Sequence, residues 1–126
     1  MSSFTTPLVV EYTDGEAYKI MQAFDYYVTS PEEGDLIRVP AGFVTDFASI
    51  PRIFWNILPP TGKYGKAAVI HDYIYVMGGK IPHAAKVYTK LDADNIFRDA
   101  MQALGVNWFV RNVMYRAVRL GGRGNF

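Results

Sequence analysis

The sequence predicts an α+β fold: a small N-terminal antiparallel sheet of about three strands, then a short helix and three C-terminal helices. Three observations carry that prediction. The first forty residues hold short β-branched and aromatic runs separated by turn signals. Beyond residue 65, apolar residues recur at helical spacing between clear start and stop signals. Half of the 126 residues are hydrophobic, enough for one domain with its own core, and no stretch reads as a linker or a repeat.

The elements follow in chain order. Residues 7–12 form a short strand ended by Thr13-Asp14-Gly15. Residues 18–28, rich in aromatics and loosely alternating, predict a longer second strand. The polar turn Pro31-Glu32-Glu33-Gly34-Asp35 leads to a third at 36–39, stopped by Pro40. A three-strand meander is the simplest topology. Residues 41–64 have no sustained period and hold one short helix over 50–58, with Ser49 as its cap and Pro51 just inside. The helical part, 65–126, opens with a helix over 66–77 that stops at Gly78-Gly79. Thr89 with Asp92 is a capping-box pattern that starts the next helix, closed by Gly105. A third helix opens at Asn107 and runs to Gly121-Gly122.

Charge is divided along the chain although the net is only +1. Residues 1–50 carry eight acids against Lys19 and Arg38, a net of −6, and residues 51–126 carry eleven bases against four acids, a net of +7. After Asp99 only bases remain: Arg111, Arg116, Arg119 and Arg123. Two readings stand: a solvated cationic helix face, or a basic edge that meets phosphate, lipid headgroups or an acidic partner. No nucleic-acid-binding motif accompanies it, which disfavours nucleic acid as a partner. Cysteine is absent, so neither disulfides nor thiolate metal sites are expected. No signal-peptide pattern and no transmembrane-length apolar run is visible, so synthesis and folding in the cytoplasm are expected.

The chemistry is concentrated in His71-Asp72-Tyr73-Ile74-Tyr75 and Asp92-Ala93-Asp94-Asn95-Ile96-Phe97. The helix from Thr89 places Leu91, Asp94, Phe97, Met101 and Leu104 on one stripe, so Asp94 faces the core. A lone buried carboxylate costs several kcal/mol, so the fold must supply it a partner. The preceding helix offers His71, and Tyr75, one turn on, reaches the same carboxylate. Asp94 would then fix the tautomer of His71 and leave the other ring nitrogen open to take a proton from water. Asp72 points roughly 100° away from His71, toward the irregular segment that holds Asp46. Two carboxylates plus loop carbonyls make an oxygen-rich site of the kind calcium prefers. The competing reading is structural: a buried His–Asp–Tyr network that sets two helices in register, with Asp72 on the surface and Asp46 in a turn. His83, beside Pro82, reads as an exposed loop residue. Phe54-Trp55-Asn56-Ile57-Leu58 reads as a pocket wall or docking segment.

Two resemblances rest on these residues. The ordered series Val39-Pro40-Ala41-Gly42-Phe43-Val44-Thr45-Asp46-Phe47-Ala48-Ser49-Ile50-Pro51-Arg52, then Trp55, Pro59, Gly62, Ala67-Ala68, His71 to Tyr75, Ala93-Asp94 and Phe97, resembles a family of small proteins of tailed phages and prophages. That family is known as a domain of unknown function. More distantly, His71-Asp72 with Tyr75, and Asp94 with Phe97, Asp99 and Met101, resemble the paired helices of small bacterial and fungal phospholipases A2. Thr45-Asp46-Phe47-Ala48-Ser49 stands where those enzymes carry a Thr-Asp-Gly-Cys-Ser calcium loop, with Phe47 and Ala48 replacing its glycine and cysteine. The second resemblance implies His71 as the base, Asp94 as its orienting partner, and Asp72 and Asp46 as calcium ligands. Together they lead to the expectation of a phage-encoded ester hydrolase, with a lipid of the host envelope as a candidate substrate. The alternative is a non-enzymatic virion component, a tail or baseplate accessory protein. It docks on phage structural proteins through Phe54-Trp55 and the Arg-rich last helix, assembles as a homo-oligomer, and keeps the His–Asp network for structure.

Overall fold

The computed structural model describes residues 3–4, 10–13, 17–28, 35–45, 65–84 and 86–121. Among these residues are six short strands, β1 (Ser3–Phe4), β2 (Val10–Thr13), β3 (Ala17–Ile20), β4 (Phe24–Tyr27), β5 (Leu36–Val39) and β6 (Val44–Thr45). Three helices follow, α1 (Gly65–Val76), α2 (Lys90–Ala103) and α3 (Trp108–Gly121). The fold is α+β, as the sequence predicts.

The strands form two antiparallel sheets, ordered β1-β4-β5 and β2-β3-β6. Their registers agree. Going from Ser3 to Val10 carries the partner back by the same number of residues, from Tyr27 to Ile20. Likewise the pairs Phe24↔Val39 and Tyr18↔Thr45 lie on one ladder. The expected long strand over 18–28 is therefore present but interrupted at 21–23. The cause lies opposite, in Pro40-Ala41-Gly42. Pro40 has no N–H to give, and Gly42 takes φ +93° in a turn closed from Phe43 N–H to the Pro40 carbonyl (3.3 Å). Pairing resumes where Ile20 and Phe43 bond (2.8 Å), which extends the sheet into β6, a strand the irregular pattern of 41–64 concealed. On this sheet Phe24, Tyr26, Ile37 and Val39 turn inward, while the cross-strand pair Asp25–Arg38 (2.6 Å) lies on the other face. Of the expected strand over 7–12, residues 10–12 lie in β2, whereas residues 7–9 and the short helix over 50–58 lie outside the described residues.

α1 is the central element. Every residue from Ala67 to Tyr75 is buried, because it is covered from two sides: Tyr73 packs edge-on against Phe43 (5.2 Å), and α2 packs against α1 elsewhere. Both Gly78, at φ +62°, and Gly105, at φ +83°, end their helices in the left-handed conformation that glycine adopts without penalty. At the first, Gly79 N–H bonds to the Ile74 carbonyl (3.0 Å), and at the second Val106 N–H bonds to Met101 (3.0 Å). The capping box is formed: Asp92 N–H donates to Thr89 Oγ1 (3.1 Å) and Thr89 N–H to Asp92 Oδ2 (3.0 Å). Asn107 caps α3 through Val110 N–H (2.9 Å). The buried face of α2 is Ala93, Asp94, Ile96, Phe97, Ala100 and Met101. Leu91, expected on that stripe, is 48% exposed; the first turn of α2 overhangs the core. No helix among the described residues is long and apolar enough to cross a membrane.

Candidate functional site

The site forms where α1, α2 and the last turns of α3 converge. His71 and Asp94 meet inside the fold, with Nε2 of the imidazole 2.7 Å from Asp94 Oδ1. Tyr75, one turn along α1, donates its hydroxyl to the same oxygen. The His71 ring lies between two aromatic rings, Tyr75 at 4.1 Å and Phe97 at 4.7 Å between centroids. The predicted trio of His71, Tyr75 and Asp94 is therefore assembled.

The second carboxylate oxygen has partners that the motifs did not announce. Lys90 Nζ donates to Asp94 Oδ2 at 3.0 Å and Arg119 Nη1 at 2.8 Å. Lys90 precedes Asp94 by four residues, a spacing that places both on one helix face, so this partner was legible. The sequence places Arg119 only on a solvated basic face or edge, and nothing in its spacing ties it to α2. Lys90 also donates to the carbonyls of Val118 (3.0 Å) and Arg119 (3.3 Å). Those carbonyls belong to the end of α3, which has no intrahelical donor for them, so the lysine both neutralises Asp94 and caps the next helix.

Electrostatics follow from burial and donors. Burial pushes the Asp94 carboxyl up, but hydrogen bonds from His71, Tyr75 and Lys90 outweigh it and hold the group well below the usual carboxylate range. Burial lowers the His71 imidazole despite the nearby carboxylate. The pair is therefore a neutral imidazole donating from Nε2 to an ionised carboxylate, which sets the tautomer as expected. Burial first, and the Asp94 bond second, raise the Tyr75 phenol, which stays protonated as a donor.

One expectation is overturned. The imidazole was expected to keep one edge open to water, yet His71 has 0% exposure, as has Asp94. Two rings and the all-round burial of α1 account for it.

Asp72 points away from Asp94, as its place on the helix requires, and is not a surface residue: it is 4% exposed and accepts from Thr45 Oγ1 at 2.5 Å. That bond joins α1 to β6. Asp46, the other expected calcium ligand, lies outside the described residues, as do Phe54 and Trp55. Among the described residues no three acidic or histidine side chains are grouped to hold a metal ion. His83 is exposed in a turn at φ +64° and takes no part.

Residues 18–118 match the model of a family described as a protein of unknown function (DUF1353). The chain belongs to the DUF1353 family. That span runs from within β3 into α3 and holds every described residue of the His71–Asp94 network except Arg119. The chain is also similar to an uncharacterized protein, y4jT, of Sinorhizobium fredii, with 38% identity over 86 residues. The match covers 67% of this chain but 23% of that relative, so the chain spans less than a quarter of its length. No solved structure matches the chain.

Proposed function

We propose that this DUF1353 protein is a non-catalytic component encoded by a tailed phage or prophage, an accessory or assembly element of the virion. In it the His71–Asp94 network is framework. One observation carries the choice between framework and catalysis: the imidazole is wholly buried. A general base must lie within hydrogen-bonding reach of the proton it removes, directly or through one water. His71 spends Nε2 on Asp94 and offers no surface to solvent, and Asp94 spends its oxygens on four side-chain donors from three helices. That arrangement resembles a pin between helices. The phage setting rests on the ordered motif series from Val39 to Phe97.

A second reading is favoured by one specific feature. His71 Nε2 and the Tyr75 hydroxyl share Asp94 Oδ1, the pairing that the phospholipase A2 resemblance implies, and an ester hydrolase is the reaction it would serve. The two readings part in one experiment. Purified protein, wild type and His71→Ala, is assayed on phospholipid vesicles and simple esters with and without calcium, and purified particles are probed for the protein. The framework reading expects no turnover and recovery of the protein with the particles. Turnover that His71→Ala abolishes while the variant stays folded would overturn it in favour of the hydrolase.

A further inference from the structure

The three most exposed large apolar side chains among the described residues lie on one helix: Leu120 at 91%, Phe109 at 69% and Trp108 at 67%. α3 buries Met114, Ala117 and Val118 against the body of the protein. Phe109, Val113, Arg116 and Leu120 recur at helical spacing on another side, within a wedge of about 60° centred roughly 120° around the helix from that buried face, at 100° per residue. Trp108 adjoins Phe109 at the start of the helix. No acidic residue occurs in α3 or after it. Arg111 bonds the Val106 carbonyl and Arg119 bonds Asp94, whereas Arg116 is exposed beside the apolar stripe.

We infer that this face of α3 docks on an anionic lipid surface. Tryptophan, phenylalanine and leucine, with arginine among them and no acid, form the composition that settles at the boundary between headgroups and acyl chains. Arg116, exposed among them with no acid in α3, supplies attraction to anionic headgroups, and each arginine near such a surface strengthens binding about fivefold. Size separates this occupant from a protein partner. The three exposed side chains offer on the order of 450 Å², against about 800 Å² per partner in a stable protein interface. A lipid surface needs no matching relief, so a patch of that size suffices. The inference stands whether the His71–Asp94 network is framework or catalytic.

The chain has two tryptophans, Trp55 and Trp108, so a Trp55→Phe variant makes Trp108 the reporter. Vesicles of phosphatidylglycerol mixed with phosphatidylcholine, and of phosphatidylcholine alone, are titrated with the full chain. Sedimentation and quenching of Trp108 by brominated acyl chains are read. Binding is expected to the anionic vesicles, with a blue shift of Trp108 and weakening at high salt. Phe109→Ser with Leu120→Ser should lower partitioning at least about tenfold, and Arg116→Glu at least about fivefold. The substituted side chains are exposed, so melting temperatures should stay at the wild-type value and report intact folding. Equal binding to neutral vesicles, no binding at all, or binding untouched by these substitutions would overturn the inference. So would a dimer in solution that the same substitutions dissolve, which would assign the face to a second copy.

Discussion

Replacing Asp94 by Asn changes the size of the side chain very little and removes its charge. Four side chains donate to Asp94: His71 Nε2 at 2.7 Å, the Tyr75 hydroxyl, Lys90 at 3.0 Å and Arg119 at 2.8 Å. An amide keeps one acceptor oxygen and turns an NH2 group toward the remaining donors, so two cations lose their counter-charge at once. Removing one member of a buried charge network costs about 3–5 kcal/mol. Lys90 and Arg119 keep 31% and 34% of their side-chain surface in water, where they recover some solvation. The lower end, about 3 kcal/mol, is therefore expected. For a domain of this length that is a fall in melting temperature of roughly 10 °C. Urea unfolding followed by far-ultraviolet circular dichroism measures it, with an unchanged m-value as the check on two-state behaviour. An apolar double variant, His71→Phe with Asp94→Leu, should lose less than the two single changes added together, because no half of the pair is left unpaired. A loss below about 0.5 kcal/mol for Asp94→Asn would refute the claim that this carboxylate joins the three helices.

Three further outcomes follow from the same geometry. His71 is held below its ordinary pKa of 6.5, so the unfolded chain takes its proton first; stability should be full above that pH and decline as pH falls below it. Asp94, held below 3.8 like Asp25 and Asp92, adds a second loss at lower pH, and His71→Phe should flatten only the first limb of a melting-temperature profile. Gly79→Ala should prevent soluble expression or cost more than about 3 kcal/mol, because φ is +80° and the new Cβ would lie 1.7 Å from the Tyr88 carbonyl oxygen; recovery of a folded variant within about 1 kcal/mol of wild type would contradict the close approach. Thr45→Val removes the donor to buried Asp72 and should cost about 1–3 kcal/mol in urea unfolding.

The helices were legible because their ends are written in local chemistry. Thr89 with Asp92, Asn107, Gly78-Gly79 and Gly105 each act through bonds within a few residues, and all hold in the structure. The meeting of His71 with Asp94 was legible for a different reason: a carboxylate on an apolar stripe demands a partner, and few candidates existed. Other features depend on tertiary contacts. The break at 21–23 is imposed by Pro40-Ala41-Gly42 on the opposing strand, which the alternation within 18–28 does not record. Leu91 fits the stripe of α2 by number but stands where no neighbour covers it well enough to bury it. Arg119 lies in a run of arginines that are alike in sequence, and only the placement of α3 against α2 separates it from exposed Arg116.

That placement is itself a polar matter. α3 buries three side chains, Met114, Ala117 and Val118, a small apolar contact for fourteen residues. Apolar contact of that size is non-directional and leaves the helix free to rotate or slide. Direction comes from bonds with fixed geometry: Tyr115 to Asn95 (2.8 Å), Arg98 over the Tyr115 ring (4.5 Å), and Lys90 and Arg119 at Asp94. Lys90 couples them, since the ammonium that neutralises Asp94 also closes the last carbonyls of α3. An apolar residue in place of Asp94 would keep the core filled and lose the orientation. Trp108, Phe109 and Leu120 stay on the outside because the acid on the inside holds the helix to one rotation.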